Sequence, residues 1–586
     1  MTTTTAIRGG AWLTEEIDAA SVLTPERLSE EHRLIGRTAE DFVDNEVLPV
    51  LDKLEAKDWA LARDLIRRCG GLGLLGTDVP EALGGVALDK AASLLVGEAV
   101  GRCASFATTF GAQTGLAVTP LLCFGSESQK AKYLPGLVSG EMIGAYALSE
   151  SGSGSDALSA KARAVPQPDG SFLLSGEKMW ITNGGFADLF VVFAKVVQPG
   201  ADLASGQFTA FLVERAFPGV SSGKEEHKMG LHGSSTTPLV LQDARVPAEN
   251  VLGEIGKGHK VAFNVLNYGR FKLAAMCSGG ARRVIAQAGA YAAQRKQFGQ
   301  PIASFGAVRQ KLADMIVREY AVEAMLYRTA GLIDGAADGG RGSDAVLAAL
   351  EEFAIEASIL KVASSEMIDA VVDENVQIHG GNGFVHDYPA EGQYRDARVN
   401  RIFEGTNEIN RLLIPGMLAK RAVKGTLPII AAARRLQDEL LSPSFDPPGD
   451  GPLDEAAKVV TGLKKVALMV LGTAMQTYGA GLADEQEVLT RAADVIIDVF
   501  AAESTLLRAS AAGGPLHEAA ARVFINDAAA RVEAVAKDAL AAMTEGDMLR
   551  TLTAALRRLL KVLPVNTVAL RRELAAALAN RRVYPF

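Results

Sequence analysis

Arg401–Arg411 reads RIFEGTNEINR. Glu404 stands there between apolar Phe403 and Gly405, and Thr406 and Asn407 can cap a helix that starts next. A carboxylate flanked by an aromatic ring and a glycine can lean into an apolar pocket while the backbone stays close to a ligand. Desolvation would raise its pKa, which suits a general base working near neutral pH. The plainer alternative is a first-turn glutamate favoured by the helix dipole. The residues on either side of this stretch bear on the choice.

Upstream, VQIHGGNGF (Val376–Phe384) ends a helix in a tight loop marked by Gly380, Gly381 and Gly383. A short connection joins it to Ile402, so this loop and Glu404 are expected in one region. His379 has no nearby Cys or His ligand set and reads as structural or ligand-adjacent, not metal-binding. Earlier still, NYGR (Asn267–Arg270) leads a long helix ending at RKQFG (Arg295–Gly299). Arg270 and Arg295 can each meet a phosphate, although a surface role is commoner for a lone arginine. Residues 257–440 are thus expected to form a helical bundle that carries the proposed base.

Residues 144–256 have a different period: short strands such as LFVVFAKV and FTAFLVE separated by turn residues, a small barrel or sandwich. The segment opens with ALSESGSGSD (Ala147–Asp156), whose small residues expose backbone N–H groups and hydroxyls. That suits a pyrophosphate or the polar edge of a flavin; a flexible Ser/Gly loop is the alternative. No Gly-Lys-Ser/Thr follows and no βαβ pattern surrounds it, so it is neither a P-loop nor a dinucleotide fingerprint. MWITNGG (Met179–Gly185) puts an indole and a hydroxyl two residues apart, on one strand face. Either a stacked heterocycle or a buried core Trp would use that pair.

Residues 25–143 read as an N-terminal helical domain, with Thr24-Pro25 as cap and first position and Leu28, Leu34, Ile35, Phe42 and Val43 on one face. Between Ser105 and Phe124 small residues accumulate: Gly111, Ala112, Gly115 and Ala117. Close helix packing and a tunnel beside the helix both explain them.

Composition bounds the rest. A chain of 586 residues is long for one domain, and a net charge of −9 argues against nucleic acid. Four cysteines without metal or disulfide spacing fit a reducing compartment. The start, MTTTTAIRGG, lacks a secretory apolar core, and no run of about 20 apolar residues suggests a spanning helix. The expected location is cytoplasmic, with peripheral contact at the inner membrane face allowed, or mitochondrial in a eukaryote.

Six segments in order, PEALGG at Pro80, ALSESGSGSD at Ala147, WITNG at Trp180, RKQFG at Arg295, QIHGGNGF at Gln377 and IFEGTNEI at Ile402, together resemble the acyl-CoA dehydrogenase family. The resemblance implies an α+β multidomain fold: N-terminal helical domain, middle β domain, helical bundle. It implies FAD as cofactor. Tyr146, Leu148, Ser149, Gly154 and Ser155, with Trp180, Ile181 and Thr182, would hold the flavin, and Thr182 would donate toward flavin N5. Arg295, Gln377, Gly380 and Gly381 match adenine-side contacts made across a subunit interface, and Thr406, Asn407 and Glu408 further flavin contacts. Ser155, Asn267, Arg270 and Gly405 match substrate-contacting positions, and Glu404 the catalytic base. Some branches carry the base near Asn267–Arg270; Tyr268 and Gly269 offer no carboxylate there. Asn267 stands where several relatives have aspartate, which implies a weaker or different contact to the adenine end of CoA.

Residues 454–586 exceed the ordinary family length and follow a Pro/Gly/Asp linker, Ser442–Asp454. Leu312–Gly331 aligns without gaps to Ala492–Ala511: Asp314/Asp494, Glu323/Glu503 and Arg328/Arg508 share one offset. This extra C-terminal helical domain reads as a worn copy of the bundle, with chance helical similarity as the alternative. It lacks EGT and HGG, so no second active site is expected. The extra length and Gly306 in SFGAVRQKLADM resemble the very-long-chain branch, whose members are homodimers. Lys464-Lys465 before VALMVLGTAM fits either a membrane surface, as in that branch, or a buried core helix.

The activity so implied is α,β-dehydrogenation of a long- or very-long-chain fatty acyl-CoA to the trans-2-enoyl-CoA. Glu404 takes the α-proton, a hydride goes to flavin N5, and electron-transferring flavoprotein is the acceptor. Two alternatives stay open, an acyl-CoA oxidase passing electrons to oxygen and an assembly or scaffold protein with residual dehydrogenase activity; a third, a flavin monooxygenase, shares the fold but needs no EGT glutamate, so Glu404 speaks against it.

Overall fold

The computed structural model describes residues 8–337, 343–441, 449 and 451–586. Seven helices come first: α1 (Glu30–Phe42), α2 (Leu51–Glu55), α3 (Trp59–Gly71), α4 (Lys90–Gly101), α5 (Ala104–Gly111), α6 (Thr119–Phe124) and α7 (Glu127–Ser139). Ser29 and Ser126 form capping boxes, and Asp58 and Asp89 cap α3 and α4. The Thr24-Pro25 start holds only a single 3-10 turn, Pro25–Arg27; α1 begins at Glu30, and Leu34, expected on its buried face, is exposed. Between α5 and α6 the backbone widens into a π-helix, Ala112–Val118, a distortion frequently found at functional sites.

Eight strands follow: β1 (Gly144–Ala147), β2 (Arg163–Pro166), β3 (Phe172–Thr182), β4 (Leu189–Val196), β5 (Gln207–Glu214), β6 (Val220–Ser222), β7 (Thr236–Val246) and β8 (Val251–Leu252). They make one sheet in the order β6-β7-β3-β2-β4-β5-β8. β1 and β2 share β4 end to end, both parallel to it, β1 along Leu189–Val192 and β2 along Lys195–Val196. The Ser/Gly segment is the chain that passes between them. Both faces of β4 are buried: Phe190 and Val192 pack with Phe106 and Phe110 of α5, Val191 and Phe193 with Leu134 of α7. A strand covered twice has no polar face, hence its unbroken apolar run.

The C-terminal half is helical: α8 (Gly258–Gln294), α9 (Gly306–Ala336), α10 (Ser343–Glu352), α11 (Ala354–His379), α12 (Ala390–Ala397), α13 (Asn407–Val423), α14 (Ile429–Leu441), α15 (Asp454–Tyr478), α16 (Gln486–Ala512), α17 (Pro515–Met543), α18 (Gly546–Leu559) and α19 (Thr567–Arg581). Most of the linker Ser442–Asp454 falls outside the described residues. α15 is a core helix, with Leu463, Val466, Val470 and Leu471 buried; Lys464 pairs with Glu503 and Lys465 with Glu439.

α9 and α16 meet as a reciprocal pair. Arg328 donates to Glu503 at 2.8 Å, and Arg508 donates to Glu323 at 2.7 Å. Arg328 lies over Phe500 and Arg508 over Tyr320. The partners are equivalent residues of the two aligned segments, exchanged as across a two-fold axis. Such reciprocity favours the duplicated-element reading over chance similarity.

One segment carried no sequence signal. Gly10 N–H and Trp12 Nε1 both donate to Glu356 of α11, at 2.7 and 3.0 Å, and Trp12 is buried against Phe500.

Candidate active site

Glu404 lies in the loop between α12 and α13. It adopts φ 57°, and Gly405 φ 80°. Left-handed backbone at a glutamate is costly and persists where the surroundings impose it. Here Thr406 caps α13 through Ile409 N–H, and the Asn410 amide donates to the carbonyls of Gly405 and Thr406 at 2.9 and 3.0 Å. Arg270 Nε donates to the Glu404 carbonyl at 3.1 Å, and Arg270 in turn is held by Asn267 Oδ1 at 2.9 Å. These bonds turn the Glu404 side chain inward. Its Oε2 is buried without a hydrogen-bond partner, against Gly269 of α8.

Burial pushes the Glu404 carboxyl up to about 7; Arg270 and then Lys361 oppose the shift. Desolvation dominates because neither cation bonds the carboxyl itself. Arg270 is lowered to about 10 and Lys361 to about 8, in each case chiefly by burial. Burial, and then the Glu404 charge, raise the Tyr146 hydroxyl pKa. That hydroxyl is also without a partner. Each is a buried oxygen left unpaired within reach of the other's charge, which a structure retains where a polar guest can pair it.

The β domain contributes Thr182, Leu231 and His232 to the cavity that Glu404 lines, and its Ser/Gly segment lies outside that lining. Glu150 folds the Ser/Gly segment: its carboxylate accepts from Lys161 N–H at 2.6 Å, Ala162 N–H at 2.9 Å and Lys178 Nζ at 2.7 Å. Ser153 Oγ closes the turn onto the Asp156 carbonyl. The segment is therefore an ordered loop rather than a slack one. Leu148 is buried, Ser149 is half-buried with its carbonyl bound by Met179 N–H, and Gly154 and Ser155 face outward. A Cβ on Gly152 or Gly154 would meet nothing within 4 Å. Trp180 is 57% exposed, which removes the buried-core alternative. It has φ 57° at a break in the β3–β7 register between Lys178 and Ile181, so strict strand alternation does not place it relative to Thr182. Ile181 is buried, and Thr182 lines the same cavity as Glu404.

That cavity measures about 500 Å³. Gly111, Ala112 and Gly115 line it, which supports the tunnel reading for them. The packing reading holds for Ala117, which fills the space beside Gly144 of β1.

Not every proposed contact reaches the cavity. Arg295, Gln377, Gly380 and Gly381 lie exposed on the outer surface. They sit on adjoining elements: Tyr291, one turn before Arg295, stacks on His379 at 3.9 Å and is bonded by Asn382. His379 Nδ1 is engaged by the Asn375 carbonyl, a structural role. Asn407 is spent inside the protein on Lys361, Ser365 and Glu366, while Glu408 is exposed. Sequence reasoning missed Asn183, whose amide ties the carbonyls of Thr109 and Gly144 at 3.1 Å each and so fixes the strand end bearing Thr182. Its only local signal was the Asn-Gly turn.

Comparison with known proteins places this site in a family. Four family models match in chain order: acyl-CoA dehydrogenase N-terminal domain (29–141), middle domain (145–244), C-terminal domain (256–418) and a second C-terminal-domain model (462–558). A probable acyl-CoA dehydrogenase of Bacillus subtilis is 47% identical over 98% of both chains. A crystal structure of a Bacillus anthracis acyl-CoA dehydrogenase complexed with FAD superposes with TM-score 0.96 at 46% identity, covering 99% of this chain and 100% of that one. The human mitochondrial very long-chain specific acyl-CoA dehydrogenase is 41% identical over 65% of this chain and 56% of its own. The chain belongs to the acyl-CoA dehydrogenase family, FAD-dependent oxidoreductases that act on acyl-CoA.

Proposed function

We propose that this protein carries out the α,β-dehydrogenation of long-chain fatty acyl-CoA to the trans-2-enoyl-CoA, with Glu404 as base. The observation that carries the reading is the buried, unpartnered Glu404 Oε2 at the wall of a cavity lined by Gly111 and Gly115. The residues present fit a flavin: open space over Gly152 and Gly154, the exposed Trp180 indole, Thr182 at the cavity and the unpaired Tyr146 hydroxyl. FAD, when bound, supplies the acceptor for the hydride of the β-carbon.

Glu404 accepts the proton from the carbon beside the thioester carbonyl. That proton is too weakly acidic for a carboxylate in water, so two conditions matter. The base must be dry, and burial meets this by raising its pKa to about 7. The thioester oxygen must meet a fixed donor. The Glu404 N–H makes no hydrogen bond among the described residues and is free to serve. One such donor contributes roughly 3–4 kcal/mol. Arg270 holds the Glu404 carbonyl and so keeps the N–H and carboxyl in one orientation.

The exposed adenine-side set, with exposed Phe298 (92%) and Phe384 (86%) beside it, supports a homodimer in which a second copy covers that surface. Electron-transferring flavoprotein is the proposed acceptor. Anaerobic flavin reduction across acyl-CoA chain lengths tests the assignment, with the fastest reduction expected on long chains. Stoichiometric hydrogen peroxide in air would instead identify an oxidase. Turnover far below about 1 per second on every chain would point to a scaffold role.

A further inference from the structure

The cavity continues past the pocket beside Glu404. α8 lines it along one stripe, Gly269, Leu273, Met276, Gly280 and Arg283, at the spacing that keeps one helix face on one side. Beside that stripe the chain from Gly115 back to Gly101 runs antiparallel and packs against it: Gly115 on Lys272, Gly111 on the Met276 side chain, and Gly101 on the Met276 backbone and Gly280. From Gly269 to Arg283 the helix rises about 21 Å. An extended alkyl chain advances roughly 1.25 Å per carbon, the projection of a ~1.5 Å bond, so about 17 carbons span that distance.

The middle of this channel is apolar and its far end is charged. The other arginines there are neutralised: Arg102 by Asp44 at 2.7 Å, Arg395 by Glu391 at 2.7 Å. Arg283 makes no ion pair among the described residues; its one hydrogen bond goes to the Arg102 carbonyl. A guanidinium has five N–H donors, so most remain to be used. Burial lowers the Arg283 pKa, as expected of a cation short of counter-charge. Asp52, Glu55 and Asp396 also line the cavity, and Glu55 and Asp396 act with Arg283 on Cys103. A neutral hydroxyl meets Arg283 without opposing them, whereas a carboxylate must outweigh them.

Given the dehydrogenase reading above, we propose that Arg283 is a specificity-determining residue for the far end of the acyl chain. It donates to an oxygen, hydroxyl or carboxylate, on the terminal carbon of chains of about 16 carbons. The test compares 16-hydroxypalmitoyl-CoA and the mono-CoA ester of hexadecanedioic acid with palmitoyl-CoA, in the wild type, Arg283→Met and Arg283→Lys. In Arg283→Met the kcat/KM of at least one oxygenated substrate relative to palmitoyl-CoA falls about tenfold. Arg283→Lys retains most of the ratio. The ratio of 10-hydroxydecanoyl-CoA to decanoyl-CoA does not respond, because that chain stops short. Unchanged C16 ratios for both oxygenated substrates, or a C10 ratio that moves equally, would overturn the assignment while leaving the dehydrogenase intact. If Arg283→Met fails to fold, the wild type decides: a terminal oxygen must lower KM on the C16 chain and not on the C10 chain. A wild type inert to every chain length overturns both readings.

Discussion

A side-chain carbon on Gly269 would lie 2.6 Å from Glu404 Oε2. The base and the glycine on α8 are therefore one steric unit: the absent side chain is the room in which the carboxyl sits. Gly269→Ala is expected to keep the fold, since alanine favours a helix interior. It must displace the carboxyl, and the rate of flavin reduction should fall about 100-fold with flavin content unchanged. Rapid-mixing absorbance measures both.

The pKa of Glu404 fixes a pH dependence. A base must be ionised, so kcat/KM should fall below a midpoint of about 7. Arg270 lowers that pKa. Arg270→Gln removes the opposing cation, and the acid limb should move to higher pH. A limb that stays in place or moves down contradicts the electrostatic account.

The same burial costs stability. Glu404 titrates at about 7 when folded against 4.5 in the unfolded chain. Between those values the folded state binds the extra proton, so stability declines as pH rises, and the full penalty, roughly 3 kcal/mol at most, stands above pH 7. Glu404→Gln should raise the thermal midpoint at pH 8 and leave it nearly unchanged at pH 4.

How much of this was legible in the chain depends on what carries each feature. Glu404 was readable because its neighbours Phe403, Gly405 and Thr406 are contiguous with it. The β domain was readable from period, although the left-handed Trp180 breaks the alternation that would place it. Gly269 gave only the absence of a rival carboxylate; that it houses the base depends on a contact between residues far apart in sequence. Trp12 had no period or motif to announce its burial. The shared offset of Glu323/Glu503 and Arg328/Arg508 showed equivalence, but only three dimensions show that each pairs with the other's counterpart.

That reciprocity is testable. Arg328 and Glu503 are both buried. Removing one partner leaves a buried charge unpaired, at a cost of about 3–5 kcal/mol. Glu503→Gln should loosen the contact between α9 and α16, seen as faster amide exchange in both helices. Lys464 also pairs with Glu503, so replacing Arg328, Glu503 and Lys464 together by apolar residues of similar size should restore most of the protection.

Tunnel width sets chain length. Gly111 and Gly115 face the cavity. A Cβ at Gly111 would already meet the Met276 side chain at 3.1 Å. Gly111→Leu should lower kcat/KM for palmitoyl-CoA well below that for butyryl-CoA, as a constriction acts on the longer chain first. Equal losses on both would mean general damage.

Anaerobic mixing of the flavin-loaded protein with palmitoyl-CoA tests the central claim most directly, with wild type and Glu404→Gln side by side. The wild type should lose its oxidised-flavin absorbance within seconds, while Glu404→Gln keeps its flavin and its colour. Bleaching of Glu404→Gln at the wild-type rate would contradict the claim that this carboxyl removes the proton.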